Sequence, residues 1–484
     1  MAFSSVLFLF GFLPLVLGVY YLVPDRFRNA VALLASLTFY AWGAPQFALV
    51  LIASSWLDYV LAGAIHSTVN STTSKRLLTV AVGLNLAMLV YCKYTNFFVD
   101  QANALAAAMG LGQITWATIV LPIGISFFTF QKISYLVDVY RRQSQPTGSF
   151  GHYLLYVVLF PQLIAGPIVR YQDVASQIRK RSHSDEQFLI GIWRFTIGLA
   201  KKVLIADTLA VVADTAFGAT AETMANPARL SCAAAWITAV CYAMQLYYDF
   251  SGYSDMAIGL GKMLGFDFLE NFNQPYISKS VTEFWRRWHI SLSNWMREYL
   301  YVPLGGNRVP PWRLYANLWI VFLASGFWHG ASWNFVIWGA IHGGVLTLER
   351  LAAKRRLPRW PAALAIPRTF CLVLVAWIFF RAWDLSQAVR FLGVMATGSA
   401  DATVTVSDLV SPQVAFILII AVFMAFSPLF SGSYRYLDDW AIGPKSRGAG
   451  LKLALRSACG ATLLLASATA LMSSQFHPFI YFRF

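Results

Sequence analysis

The sequence predicts an all-α protein that crosses a membrane many times. Of its 484 residues, 58% are hydrophobic and only 12% are charged, whereas soluble proteins carry about 25% charged residues. Apolar stretches close to the ~20 residues that span a bilayer recur along the whole chain. We therefore expect one domain, residues 1–484, with about 11–13 transmembrane or re-entrant helices.

The apolar stretches can be followed in order from the amino terminus. Arg26 and Arg28 follow the first stretch and no basic residue precedes it, so the positive-inside rule places the first loop in the cytoplasm. The same lack of a basic leader predicts that no signal peptide is removed. The stretches centre on residues 9–21, 30–42, 49–65, 78–91, 119–137, 153–169, 188–212, 233–248, 314–345, 370–380, 414–430 and 453–472.

Prolines interrupt two of these stretches, at Leu121–Gly124 and at Pro161–Pro167. Proline removes a backbone donor and bends a helix. Inside a membrane, broken backbone is tolerated where it is buried in protein or lines a cavity. The interruptions predict a hydrated tunnel between helices.

The net charge of +15, from 37 Lys and Arg against 22 Asp and Glu, has two interpretations. Cytoplasmic loops that face anionic lipid explain most of the excess and are the favoured one. A binding site for an anionic donor such as a coenzyme is the alternative. Nothing in the sequence indicates a nucleic-acid partner.

Residues 261–312 differ from the rest of the chain because charges interrupt the apolar sequence. Ser280 and Glu283 are spaced as a capping box, and Trp285, Trp288, Leu292 and Trp295 follow at helical intervals. The pattern predicts an amphipathic or re-entrant helix in or under the membrane, with His289 off the tryptophan stripe.

Several chemistries are disfavoured by the sequence. No complete phosphate-binding loop, G-x-S-x-G elbow or H-E-x-x-H motif is present. The five cysteines lie singly in apolar stretches, so we interpret them as buried small hydrophobes rather than ligands or disulfide partners. No metal site is expected.

His329 is the leading candidate for a functional residue because it lies within the apolar run 318–338. A titratable ring at membrane depth is costly unless it faces protein or water. Asp249 lies in a polar stretch at the end of another apolar segment, where a loop at the membrane face is an equally good explanation.

Six strings occur in a fixed order along the chain: Pro161–Arg170, Tyr248–Gly259, Asn271–Tyr276, Glu283–Ser293, Leu304–Arg308 and Trp328–Gly330. Together they resemble the membrane-bound O-acyltransferase superfamily, in particular its bacterial branch typified by the alginate O-acetylation membrane protein. The resemblance implies a ring of membrane helices around a thinned centre, with a through-tunnel, in the bacterial inner membrane.

The resemblance also implies which residues form the site. The superfamily histidine is His329, and the second histidine near it is His289. A neutral imidazole suits the removal of a hydroxyl proton, so our hypothesis makes His329 the base, with His289 orienting the acyl group or stabilising the oxyanion. Further candidates for the tunnel lining are Asp249, Asn307, Asn334 and Trp328.

His342 is excluded from the predicted site. It lies 13 residues beyond His329, which is about 220° around a continuous helix. On that geometry the two rings point in different directions.

The function implied by the resemblance is a relay of acetyl groups. Acetyl-coenzyme A is the expected cytoplasmic donor, and no cofactor is expected to bind tightly. The acceptor would be an exported polysaccharide, most simply alginate, reached through extracytoplasmic O-acetyltransferase partner proteins. Acetylation of cellulose or peptidoglycan, D-alanyl transfer to teichoic acid, a polysaccharide transporter and a membrane scaffold remain alternatives.

Overall fold

Helices form the protein throughout its described part. The computed structural model describes residues 2–358, 360–427, 449–473 and Phe479. Within them the only β-type pairing is an isolated bridge between Leu230 and Val404, so the all-α prediction is confirmed.

The chain divides into two compact units. The first contains Met1–Gly191 and Ala257–Leu269, and the second contains Ile192–Met256 and Glu270–Phe484. The prediction of a single domain is not tested by this division and stays a prediction.

The helices that begin before residue 192 are α1 (Leu13–Leu22), α2 (Asp25–Gly43), α3 (Pro45–Ser67), α4 (Ser71–Ala108), α5 (Ile125–Tyr140), α6 (Phe150–Val158), α7 (Phe160–Leu163), α8 (Tyr171–Arg179) and α9 (Asp185–Ala200). Those that follow are α10 (Asp207–Phe217), α11 (Cys232–Met263), α12 (Val281–Arg287), α13 (Ile290–Met296), α14 (Pro311–His329), α15 (Trp333–Lys354), α16 (Ala362–Arg381), α17 (Leu385–Thr397), α18 (Val406–Leu409), α19 (Pro412–Phe426) and α20 (Ala449–Ser473). Wider π-helical turns occur at Phe8–Phe12, Lys201–Ala206 and Arg297–Tyr301.

Four helices of the described chain are long and apolar enough to cross a membrane. They are α3, α4, α16 and the Ala454–Ser473 part of α20, while Phe8–Leu22 and Pro412–Phe426 are shorter apolar helices. Several predicted spans are divided, as at Val158, where α6 ends, and at Gly330, which follows α14. The number of full spans therefore stays a prediction.

The first unit contains a buried ion pair among α3, α4 and α5. Lys132 Nζ lies 3.0 Å from the Asp58 carboxylate, and Asn85 Nδ2 donates to the same carboxylate at 2.8 Å. The opposite charge and the extra hydrogen bond offset part of the cost of removing both ions from water.

The prediction of one continuous amphipathic helix through Trp285, Trp288, Leu292 and Trp295 is wrong, because the structure divides this segment into two helices. Ser280 does cap α12, because its hydroxyl accepts from Glu283 N–H at 3.0 Å. The helix then ends at Arg287, and His289 adopts a left-handed backbone with φ of 45°. Backbone bonds to a neighbouring segment replace the helical ones, since Ile290 N–H donates to the carbonyl of Asn271 at 2.9 Å.

The four predicted stripe residues are consequently buried inside the second unit rather than lying along one face of a single helix in or under the membrane. All four are at most 8% exposed: Trp285, Trp288, Leu292 and Trp295.

Helices α14 and α15 form a hairpin whose backbones touch. A Cβ atom on Gly326 would lie 2.2 Å from the Phe335 carbonyl oxygen, and one on Gly339 would lie 2.3 Å from that of Phe322. Only glycine permits such an approach. The hairpin turns between Gly330 and Ser332, so α14 ends on His329.

The interpretation of all five cysteines as buried is wrong. Cys241 is buried, but Cys371 and Cys459 are exposed on their helices. An apolar helix in a membrane protein has a lipid-facing side as well as a buried one, so an apolar sequence does not specify burial in protein.

Candidate active site

His329 is the last residue of α14 and is 5% exposed. Its ring is enclosed by aromatic side chains, with centroid distances of 4.8 Å to Trp328, 5.0 Å to Trp338 and 5.1 Å to Phe380. Such surroundings exclude water and strengthen the electrostatic interactions of an imidazole.

His289 is fully buried and occupies a strained position at the start of α13. A left-handed backbone outside glycine costs about 1–3 kcal/mol and is often found at functional sites. The edge-on ring of Phe250 lies 4.7 Å from the His289 ring.

The Asn271 side chain fixes the orientation of the His289 ring. His289 Nδ1 lies 3.1 Å from Asn271 Oδ1. The same oxygen accepts from Ser291 N–H at 3.2 Å and from the Ser291 hydroxyl at 2.9 Å, which identifies it as the acceptor atom of the amide. His289 therefore donates from Nδ1, and its Nε2 is buried with no hydrogen-bond partner in the described part of the chain.

Trp328 lies close to both histidines. Its ring centroid is 6.4 Å from His289 and 4.8 Å from His329. The two histidines, 40 residues apart in the sequence (329 minus 289), are thus brought into one buried aromatic cluster.

The three remaining candidates for the tunnel lining, Asp249, Asn307 and Asn334, form hydrogen bonds or ion pairs with residues other than the two histidines. Asp249 on α11 pairs with Lys202 at 3.0 Å. Asn334 donates to the Ala382 carbonyl at 2.8 Å and so ties the start of α15 to the end of α16. Asn307 accepts from the Tyr301 hydroxyl at 2.8 Å and from Arg350 at 2.6 Å. None of these hydrogen bonds or ion pairs involves His289 or His329.

A large cavity of about 1190 Å³ lies in the second unit. Its apolar lining includes Trp285, Phe322 and Met296. Ser325, which also lines it, lies one helical turn before His329 on α14. Its charged lining combines the acids Glu283 and Glu349 with an excess of cations, namely Lys279, Arg286, Arg297, Arg350, Arg356 and Arg368.

His342, which its helical spacing excludes from the predicted site, lies in the same aromatic cluster as His329. Trp338 lies 4.9 Å from His342 and 5.0 Å from His329, measured between ring centroids. A rotation of about 220° between His329 and His342 would apply only to one continuous helix. The chain instead reverses after Gly330. Gly330 and the capping Ser332, whose hydroxyl accepts from Asn334 N–H at 3.3 Å, are the sequence signals that could have revealed the break.

The arrangement suits transfer of a group between two substrates. Within the described residues, no group of three or more His, Cys, Asp or Glu side chains is placed to hold a metal ion. The cluster instead combines imidazole rings, aromatic walls and an adjacent basic cavity. Imidazoles in such a setting can take up and return a proton during acyl transfer.

Comparisons with known proteins agree with this chemistry. The family model described as MBOAT, membrane-bound O-acyltransferase family, matches residues 146–382. A probable alginate O-acetylase AlgI of Azotobacter vinelandii is 42% identical over 100% of both chains. The protein of the same description from Pseudomonas aeruginosa is 46% identical over 82% of this chain and 75% of its own. A peptidoglycan O-acetyltransferase of Helicobacter pylori is 37% identical, over 81% and 79%.

Proposed function

The chain belongs to the membrane-bound O-acyltransferase family, and on that premise we propose that this membrane O-acyltransferase relays acetyl groups for the O-acetylation of alginate, an exported polysaccharide. The observation that carries the proposal is the buried pair His289 and His329, with Ser325 of the basic cavity lying one helical turn before His329. Identity to probable alginate O-acetylases along the whole chain supports the choice of polymer.

The proposed donor is acetyl-coenzyme A, taken from the cytoplasm. Its phosphates are anionic, and cations outnumber acids in the cavity lining. Arg286 and Arg356 belong to the basic runs 286–287 and 354–356, which contribute to the net positive charge. Their place in the cavity lining supports the alternative interpretation, an anionic donor site.

The proposed chemistry moves one proton and one acyl group. His329 takes the hydroxyl proton of the acceptor as its oxygen bonds to the acetyl carbon. The carbon–sulfur bond then breaks, and the proton passes from the imidazolium to the thiolate of coenzyme A. His289, whose neutral ring offers a lone pair at Nε2, orients the reactants.

We place the protein in the bacterial inner membrane, crossing it several times, with acetyl groups passed to extracytoplasmic O-acetyltransferase partner proteins. Those partners would select the sugar position. The resemblance to the bacterial branch of the O-acyltransferase superfamily supports this arrangement. The matching strings include those that contain His289 and His329, and also Leu304–Arg308.

The decisive experiment measures ester-linked acetate on exported polysaccharide from cells that lack this protein. The cells are complemented with the unmodified chain, His329→Ala, or the control His66→Ala, at matched membrane abundance. His66 contacts Arg142, outside the site. We expect His329→Ala to lower the acetate by about 10²–10⁴-fold and His66→Ala to leave it unchanged.

Other outcomes would reject particular parts of the proposal. Full acetylation with His329→Ala would remove the base role of that residue. An altered amount of polymer with unchanged acetate would favour a transporter. Loss of acetate from peptidoglycan rather than from alginate would identify the second candidate acceptor, which the relative from Helicobacter pylori suggests.

A further inference from the structure

One face of α15 connects the cavity to the histidine cluster. Trp338, His342 and Glu349 are spaced by four and seven residues, so they lie on the same side of the helix. Each contacts a different part of the site region: Trp338 the ring of His329, His342 the ring of Trp285, and Glu349 the start of α12.

Glu349 fixes the amino terminus of α12 against α15. Its carboxylate accepts from Val281 N–H at 2.7 Å, from Thr282 N–H at 2.9 Å and from the Thr282 hydroxyl at 2.7 Å. A carboxylate at this place satisfies two of the otherwise unpaired N–H groups of the helix. Helix α12, which carries Trp285, is thereby held at its first turn.

His342 holds α12 one turn further along. Trp285 donates from Nε1 to His342 Nδ1 at 3.3 Å, and the two rings meet edge to face at 5.1 Å. An indole can only donate, so His342 must present a lone pair at Nδ1. His342 is 1% exposed, and the indole it holds lines the cavity.

His342 also contacts Trp338, which in turn contacts the ring of His329. The ring of Trp338 lies 5.6 Å from Trp285 and 5.0 Å from His329. Trp285, which lines the cavity, therefore contacts Trp338, which packs against the proposed base, and His342 contacts both tryptophans.

We propose that His342 is a positioning residue for the acyl donor: its hydrogen bond to Trp285 fixes the wall of the cavity against which the donor's acyl end binds. This inference rests on the proposed function. His342 does not contact the reacting atoms, so its loss weakens donor binding more than it slows the chemical step.

The test uses purified full-length protein, supplied with alginate and an extracytoplasmic O-acetyltransferase partner as the acceptor system, and measures thiol release from acetyl-coenzyme A at varied donor concentration. The variants are His342→Phe, which keeps an aromatic ring but no acceptor, His342→Gln, which restores an acceptor, and Trp285→Phe, which removes the donor. We expect His342→Phe to raise the Michaelis constant for the donor about three- to tenfold, with kcat changed less than about twofold. His342→Gln should remain within about twofold of the unmodified protein.

A double variant separates this role from general packing. If the hydrogen bond carries the effect, Trp285→Phe raises the Michaelis constant as His342→Phe does, and combining the two adds nothing further. Additive effects, an unchanged Michaelis constant in His342→Phe, or no rescue by glutamine would each overturn the inference. Should His342→Phe fail to fold, His342→Gln and Trp285→Phe still decide the question, since only Trp285→Phe should weaken donor binding.

Failure of the proposed function gives a different result. If the unmodified protein does not consume acetyl-coenzyme A at all, the donor assignment and this inference fall together. Normal turnover by the unmodified protein, with variants that match it, rejects the role of His342 alone.

Discussion

At the scale of single residues, the hydrogen bond from His289 to Asn271 decides which imidazole nitrogen carries the proton. Asn271 Oδ1 already accepts from Ser291 N–H, so the neutral ring is protonated at Nδ1 and carries a lone pair at Nε2. A role in stabilising an oxyanion would require a protonated ring, whereas orienting a hydroxyl group would not.

Replacing Asn271 tests this assignment. Asn271→Ala removes the acceptor and should lower ester acetate on the exported polymer at least about tenfold at matched abundance, whereas Asn271→Asp keeps an acceptor and should retain most of it. Ser291→Ala, which leaves the bond to His289 in place, is the control. Equal acetylation by the alanine and aspartate variants would contradict the assignment.

His183, which lies between α8 and α9 in the first unit, is expected to make the stability of the protein depend on pH. Arg28 contacts its Nδ1 at 2.9 Å and the Tyr20 hydroxyl contacts its Nε2 at 2.9 Å. Burial lowers the pKa of His183, and the neighbouring charges of Arg28 and Arg181 lower it further. The folded protein therefore favours the neutral ring more than the unfolded chain does.

The sign of the pH effect follows from that lowered pKa. Stability from His183 is fully present above its ordinary pKa of about 6.5 and is lost as the pH falls towards the folded-state pKa. The thermal unfolding midpoint should thus fall less for His183→Gln than for the unmodified protein between about pH 7.5 and 5.5. Identical falls in both proteins would show that His183 does not contribute.

At the scale of elements, the α14–α15 hairpin places His329, Trp338 and His342 together. The close approach at Gly326 and Gly339 brings the two helices into contact. The break after Gly330 turns the second helix back, so residues far apart on a continuous helix share one cluster.

Gly326→Ala should disrupt this packing. Its new methyl group would lie 2.2 Å from the Phe335 carbonyl oxygen, and such overpacking typically costs about 1–3 kcal/mol. We expect a lower thermal midpoint of the purified protein and reduced acetylation. Gly344→Ala on α15, where the nearest atom is 3.8 Å away on Trp319, is the matched control; equal midpoints for the two variants would contradict the role of the hairpin.

At the scale of the whole molecule, the net charge of +15 is not spread evenly, because the cavity lining is enriched in cations. Charges in a partly enclosed cavity attract an anionic donor, and salt screens that attraction. This predicts that donor affinity falls as ionic strength rises.

Arg286→Gln tests the electrostatic contribution of the cavity. Removing one cation should raise the Michaelis constant for acetyl-coenzyme A about two- to fivefold at low salt, with a smaller effect at high salt. Arg179→Gln, on α8 and outside this lining, is the control for net charge. An equal change for both variants would show that net charge, and not the cavity, governs donor binding.

The sequence by itself determined the membrane class, the helical fold and the motifs that contain His289 and His329. Hydropathy and helical period depend only on residues that are close in the sequence, so they can be read without knowing how the helices pack. The capping of α12 by Ser280 was predicted for the same reason, because a cap involves residues only three apart.

Tertiary structure decided where the predicted helices break and which side chains meet. The hydrogen bond that His289 donates to Asn271 spans 18 residues, and the one that Trp285 donates to His342 spans 57. Neither has a local sequence pattern. Bonds from the 271–273 segment replace helical bonds around His289, so no periodicity reveals the break. The grouping of cations around one cavity likewise depends on how α12, α14 and α15 pack. The number of cationic residues in the sequence does not show which of them face the same cavity.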